Sequence, residues 1–196
     1  MGEMIKMIVV LTVLAALSGG LLAAIRDNTL EQIEIQELEF VQGPAIKKIM
    51  RGAGNDPIAD RFKLTDGETE RSFFVGKFDG KANVVALESF GPGYAGDVGV
   101  MAAINLDEDV LVDIGITTSL ETPGLGARAK EDPAFAAQFV GLSVLEPIAV
   151  SQDDGTISAL SGATITSRAV CTAATSIGDI YQRLKPQIQA KIQSMQ

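Results

Sequence analysis

The chain reads as an α+β protein: a largely antiparallel sheet with packed helices, preceded by one N-terminal transmembrane helix. Three observations predict that class. Met7 to Ile25 contains no charged residue and is bounded by Lys6 and Arg26-Asp27. Between Ser72 and Thr117 lie four short apolar runs separated by turn residues, the pattern of hairpin-linked strands. Beyond Ser167 the apolar positions Val170, Ala173, Ala174, Ile177, Ile180 and Leu184 recur at spacings of three and four, a helical period.

Taken in order, the first element is the apolar run. At 1.5 Å per residue it extends roughly 28 Å, close to the hydrocarbon thickness of a bilayer. A cleaved signal peptide competes with a retained anchor, because Ala15 to Gly20 and Leu22 to Ala24 offer small residues. The apolar run nevertheless continues through Leu21, Leu22 and Ile25, and no lipobox cysteine follows, which favours an anchor over residues 1–26. Gly19 and Gly20 suit close approach to a neighbouring membrane helix. Lys6 stands on one side and Arg26 on the other, so charge alone barely orients the segment.

Residues 27–60 are a stem and connector. Leu30, Ile33, Ile35, Leu38 and Phe40 alternate with Glu31, Glu34, Glu37 and Glu39 in a mixed period, which leaves helix and extended chain both open. Pro44 to Met50 predicts a short helix with proline in its first turn, and Arg51 to Asp60 a loop. Residues 61–196 form the main domain. Its expected strands are Ser72 to Phe78, Val84 to Phe90, Val98 to Leu106 and Val110 to Thr117, with turns at Asp79-Gly80, Gly91-Pro92-Gly93 and Asp107-Glu108. Asp132-Pro133 opens an Asp-capped helix through Val140. Leu142 to Val150 is a further possible strand broken by Pro147, and the last helix runs from Arg168 to Leu184.

The totals exclude several chemistries. With 16 Lys and Arg against 25 Asp and Glu among 196 residues, the net charge is −9 and no basic cluster stands out, so nucleic acid is a poor partner. Histidine is absent, which removes His triads, His metal sites and His-ligated haem. The single cysteine, Cys171, supports no internal disulfide, iron–sulfur cluster or zinc site, and no metal site is expected. It suits small core filling in the last helix. Any electron carried by this protein needs an organic cofactor.

Ser161-Gly162-Ala163-Thr164-Ile165-Thr166-Ser167 stands where extended chain hands over to that helix. Serine and threonine cap helix N-termini, and the unpaired N–H groups there, with the helix dipole, also suit a phosphate. Gly162 permits positive φ or close approach to a ligand. Taken alone, such a cluster can equally be a capped helix and nothing more. The string resembles the flavinylation motif of the FMN-binding domain family, whose members include the G subunit of Rnf electron-transport complexes and the C subunit of the sodium-pumping NADH:quinone oxidoreductase. The resemblance implies that Thr164 is joined through its hydroxyl to the phosphate of FMN, with Ser161, Gly162, Ala163, Thr166 and Ser167 around it. Ser158 stands where the family usually carries an acidic residue.

Two further strings fit the same family. Glu121-Thr122-Pro123-Gly124-Leu125-Gly126 is physically a rigid turn, with Pro123 fixing φ and Gly124 able to take the positive φ of type II. In the family this hexapeptide helps wall the cofactor; Ser119-Leu120 fills the place where relatives often carry histidine, so no histidine role transfers. Gly91-Pro92-Gly93-Tyr94-Ala95-Gly96 resembles the family's glycine-tyrosine loop, and Tyr94 is a candidate to flank an isoalloxazine ring, or else an ordinary packed tyrosine. The three segments cover roughly Phe73 to Leu184.

The resemblance implies a membrane-anchored electron carrier, an electron-transfer subunit without acid–base catalysis of its own. Its expected partners are the other membrane and redox subunits of an Rnf-type complex, which couples ferredoxin and NAD to ion transport, and a flavin transferase for maturation. It also implies a single-pass protein of the inner membrane with its domain on the outer face. The sodium-pump counterpart, another respiratory flavoprotein, and a membrane-anchored binding module without a redox cofactor are the alternatives.

Overall fold

The computed structural model describes residues 2–195 and divides after Phe40 into two compact units. The first unit is built on helix α1, Gly2–Glu37. Gly2–Leu30 is long and apolar enough to cross a membrane, and its most apolar stretch is not buried against the rest of the protein. The Thr12 hydroxyl donates to the Ile8 carbonyl at 2.8 Å, so this polar group inside the apolar stretch is satisfied within the helix. The stem, left open between helix and extended chain, is helical to Glu37 and passes into a π-helical turn, Leu38–Gln42.

The second unit is a five-stranded antiparallel meander in the order β1-β2-β3-β4-β5. The strands are β1 Arg61–Asp66, β2 Thr69–Phe78, β3 Lys81–Pro92, β4 Asp97–Asn105 and β5 Val110–Ile116. Around them stand α2 Gly43–Ile49, α3 Arg128–Glu131, α4 Pro133–Ala137 and α5 Thr164–Gln193. The α+β expectation holds. Helix α2 begins with proline in its first turn, and Asp132 caps α4 by accepting from the Ala134 N–H at 3.0 Å, both as the sequence predicts.

One strand was not foreseen, and three expectations are corrected. Strand β1 lay inside an unassigned stretch; its sequence alternates charged and apolar residues, as an edge strand does. Gly91 and Pro92 belong to β3, paired with Val98 and Asp97, so the reversal falls at Gly93 to Gly96 instead. Pro92 sits at the strand's end, where a missing donor costs little. Leu142 to Val150 forms no strand, only isolated bridges at Ser143 and Val150. Helix α5 starts at Thr164 and continues through Pro186 to Gln193. A proline inside a helix costs about 3 kcal/mol. Ile188 and Ile192 beyond it are buried, and each stabilises by about 1.5–3 kcal/mol, which offsets that cost.

The sheet is covered on both faces. Val85 and Leu87 of β3, Val100 and Ala102 of β4 and Ile114 of β5 join Val170, Ala174, Ile177 and Tyr181 of α5 in one apolar cluster. Side chains alternate along a strand, so Gly115 faces the other way. There α2 closes down: a Cβ on Gly115 would lie 3.3 Å from Ala45 and from Ile49. Cys171 is buried among these residues, and burial, with the charge of Asp153, pushes its thiol up to about 12, so it is an inert core group.

Candidate functional site

The N-terminus of α5 forms one wall of an open groove of about 570 Å3. The chain reaches it through Gly162, whose φ of 78° turns the backbone from the extended Ile157–Leu160 approach into the helix. Ala163 is the cap residue, and no side chain caps the helix. That corrects the reading of the hydroxyl residues as caps: Thr164, Thr166 and Ser167 lie inside the helix, and Ser161, before it, makes no cap bond. No described residue accepts the N–H groups of Thr164, Ile165 or Thr166; the first backbone bond of the turn runs from Ser167 to the Ala163 carbonyl at 3.0 Å. Three donors and the positive end of a 30-residue helix therefore face the groove.

The hydroxyls of the turn have different fates. Ser167 is fully buried, donates to the Ala163 carbonyl at 3.0 Å and accepts the Leu160 N–H at 3.0 Å, so it fastens the approach segment to the helix. Thr166 is buried and donates to Glu121 Oε2 at 2.7 Å. Thr164 is half-buried, lines the groove, and bonds to no described residue. Ser161 is exposed and outside the lining.

The opposite wall comes from the other two strings. Glu121, Thr122, Leu125 and Gly126 line the groove, and so does Tyr94, which is 74% exposed. Pro123 and Gly124 form the back of the turn and are not part of the lining. That turn is closed by the Leu125 N–H on the Thr122 carbonyl at 3.1 Å, with Gly124 at φ 76°, the sign that a type II Pro-Gly turn requires. Glu121 is the buried charge of the site. Burial pushes its carboxyl up, but the Thr166 hydroxyl and the N–H groups of Ala95 and Tyr94 outweigh burial and hold it below the usual carboxylate range. It is ionised at neutral pH.

The structure thus brings Tyr94, four residues of the hexapeptide, and Gly162, Ala163, Thr164 and Thr166 around one opening. Sequence reasoning missed one lining residue, Ile165. Its signal was available: an aliphatic residue off the buried stripe of α5, 47% exposed.

Known proteins carry the same architecture. The FMN-binding domain family matches residues 93–177, which span every wall of this groove. The G subunit of an ion-translocating oxidoreductase complex from Methanosarcina acetivorans is 32% identical over 90% of this chain and 94% of its own. The chain belongs to this family of G subunits. A second member, the G subunit of a Na(+)-translocating ferredoxin:NAD(+) oxidoreductase complex from Acetobacterium woodii, is 29% identical over 89% of this chain and 88% of its own. The fold is shared with the C subunit of a Na(+)-translocating NADH-quinone reductase from Parabacteroides distasonis, with a TM-score of 0.55 at 21% identity over 63% of this chain and 76% of that one.

Proposed function

We propose that the groove holds FMN joined by a phosphoester to Thr164, and that the chain relays electrons within an Rnf-type, ion-translocating ferredoxin:NAD oxidoreductase complex. The observation that carries this reading is the state of the hydroxyls at the start of α5. Thr166 and Ser167 are buried and committed to other partners, whereas Thr164 is unpaired beside three unclaimed N–H donors. An anionic phosphoester there meets the helix dipole and those donors, an arrangement that favours the charge. The groove's volume of about 570 Å3 suits a cofactor-sized ligand. When bound, the flavin supplies exchange between one- and two-electron donors and acceptors. The chain's own residues bind, orient and wall it: N–H groups of the first turn at the phosphate, Thr122, Leu125 and Tyr94 around the ring.

In this reading residues 1–26 anchor the protein as a single membrane span, residues 27–60 connect, and residues 61–196 carry the flavin on the outer face of the cytoplasmic membrane. The apolar span Gly2–Leu30 supports the anchor, and the relatives among G subunits support partnership with other members of such a complex. A flavin transferase installs the group.

Production of the full-length protein with a flavin transferase tests the assignment. Intact mass should exceed that of the apoprotein by one FMN less water, and the band should fluoresce after denaturing electrophoresis. Thr164→Val should lose both signals. Retention of the added mass in Thr164→Val, with loss in Thr166→Val or Ser167→Ala, would overturn it.

A further inference from the structure

The Glu121 carboxylate accepts three hydrogen bonds from two segments of the site. Its Oε1 accepts the Tyr94 N–H at 2.7 Å and the Ala95 N–H at 3.1 Å, and its Oε2 accepts the Thr166 hydroxyl at 2.7 Å. One carboxylate therefore bridges the loop that carries Tyr94 and the first turn of α5, which are opposite walls of the groove. Few other bonds hold that loop. Within it the Gly93 N–H reaches the Gly96 carbonyl at 3.0 Å, and the Tyr94 side chain is mostly exposed.

The surroundings are shaped to the carboxylate. A Cβ on Gly93 would lie 2.5 Å from Glu121 Oε1, and one on Gly126 would lie 2.5 Å from Oε2 and 2.6 Å from Thr166 Oγ1. Both glycines leave the space that the two oxygens and their donors fill. A buried group with every oxygen engaged by a different segment transmits its position to each of them.

We propose that Glu121 is the positioning residue of the groove: its carboxylate sets the spacing between the Tyr94 wall and the first turn of α5, and its loss releases Tyr94 from the flavin while attachment at Thr164 persists. The inference rests on the groove being the flavin site. Tyrosine against an isoalloxazine ring quenches its emission, so the emission yield of the attached flavin reads where Tyr94 stands.

The test uses the full-length protein, made with its flavin transferase, as wild type, Tyr94→Leu, Glu121→Ala, Glu121→Asp, Glu121→Gln and the double variant Glu121→Ala/Tyr94→Leu. Covalent loading is measured first by in-gel fluorescence, then the emission yield of the folded protein. Tyr94→Leu should raise emission severalfold. Glu121→Ala should raise it as far, and the double variant no further, because both changes remove the same contact. Glu121→Gln should stay close to wild type: its amide oxygen can accept the two N–H groups while its NH2 faces the Thr166 oxygen. Glu121→Asp, one methylene too short to reach both walls, should fall between, and it decides the matter where Glu121→Ala does not accumulate. Unchanged emission in Glu121→Asp and Glu121→Ala, additive effects in the double variant, or a Gln variant as bright as Tyr94→Leu overturns the inference. So does a silent Tyr94→Leu. Absence of covalent flavin from the wild type would instead overturn the reading of the groove.

Discussion

Two carboxylates contact α5, one at its first turn and one in its C-terminal half, each the acceptor of three hydrogen bonds, and the first lines the groove. Asp109, in the turn between β4 and β5, accepts the Tyr181 hydroxyl at 2.6 Å and the Lys185 ammonium at 2.6 and 2.7 Å. Those donors stand one helical turn apart on α5, so the cluster fastens one turn to one helix. Glu121 lies roughly 28 Å away along the helix, counted from Lys185 to Thr166. Its donors come from the loop at Tyr94 and Ala95 and from Thr166. Two of them are backbone N–H groups, whose positions are positions of chain. A carboxylate held by two side chains of one element closes a core. A carboxylate held by main chain from one segment and a hydroxyl from another spaces two walls.

The chemistry at the Asp109 end is closed. Burial, followed by the bond to Asp109, pushes the Tyr181 phenol well above its usual range, so it stays a donor. The Lys185 ammonium lies 5.6 Å from the centre of the Tyr181 ring, which adds a cation–π contact.

The largest effect should come from breaking this closed end. Asp109→Ala leaves the Lys185 ammonium and the Tyr181 hydroxyl without their acceptor. A fully buried pair costs more to break, but the Lys185 and Asp109 side chains are 30% and 21% exposed, so we expect a loss of about 2–3 kcal/mol in urea unfolding. Covalent flavin loading and the flavin spectrum should be unchanged, since the groove is at the other end. Acid should act in the same direction. Burial pushes Asp109 up, yet the bonds from Lys185 and Tyr181 outweigh it and hold its carboxyl below the ordinary 3.8. A depressed folded value means stabilisation that is fully present above the unfolded value and lost as pH falls through the folded one. Urea midpoints should therefore drop below about pH 4, and Asp109→Asn should flatten that decline.

The same contrast sorts what could be read in advance. The four apolar runs became β2 to β5 because continuous Val, Ile, Ala and Phe are buried between α5 and α2. Strand β1 was hidden by its charged alternation, and the stem by a mixed period that helix propensity and length resolved toward helix. The strings around the groove were legible because each is short and contiguous. The division of labour among Thr164, Thr166 and Ser167 was not. It depends on Glu121, 45 residues from Thr166 in sequence and in direct contact with it, and on the Leu160 N–H that Ser167 accepts. Nor could the reach of α5 past Pro186 be read, since it rests on burial of Ile188 and Ile192 against partners far away in sequence.

A smaller effect should follow at the back of the hexapeptide turn. Gly124 holds φ 76°, and a Cβ built there meets nothing within 4 Å. The penalty for Gly124→Val is thus one of backbone conformation alone, about 1–2 kcal/mol, with some addition for the β-branch. The protein should fold and load flavin, with a lowered urea midpoint and a disturbed flavin spectrum as Leu125 shifts. Gly124→Asn should recover most of the stability, because asparagine tolerates positive φ. A silent Gly124→Val in a folded protein would return the segment to an ordinary surface turn.

The smallest effect on stability, and the sharpest on the site, should come from Thr122→Val. Thr122 and Thr166 both line the groove, but Thr166 is buried and bonded to Glu121, whereas Thr122 is exposed and its hydroxyl bonds to no described residue. The turn depends on the Thr122 carbonyl, which takes the Leu125 and Ala127 N–H groups at 3.1 and 3.2 Å, and valine keeps that carbonyl. The substitution also nearly preserves volume, so the change in stability should stay within about 0.5 kcal/mol. Attachment at Thr164 should survive, because Thr122 lies in the opposite wall. What should move is the environment of the ring: its visible absorption bands and the midpoint potentials of the bound flavin, since an unpaired hydroxyl in the wall is free to donate to a ring carbonyl or nitrogen. A fully loaded Thr122→Val protein with unchanged bands and potentials would show that this hydroxyl does not address the ring, and would leave the wall's contribution to Leu125 and Tyr94 alone.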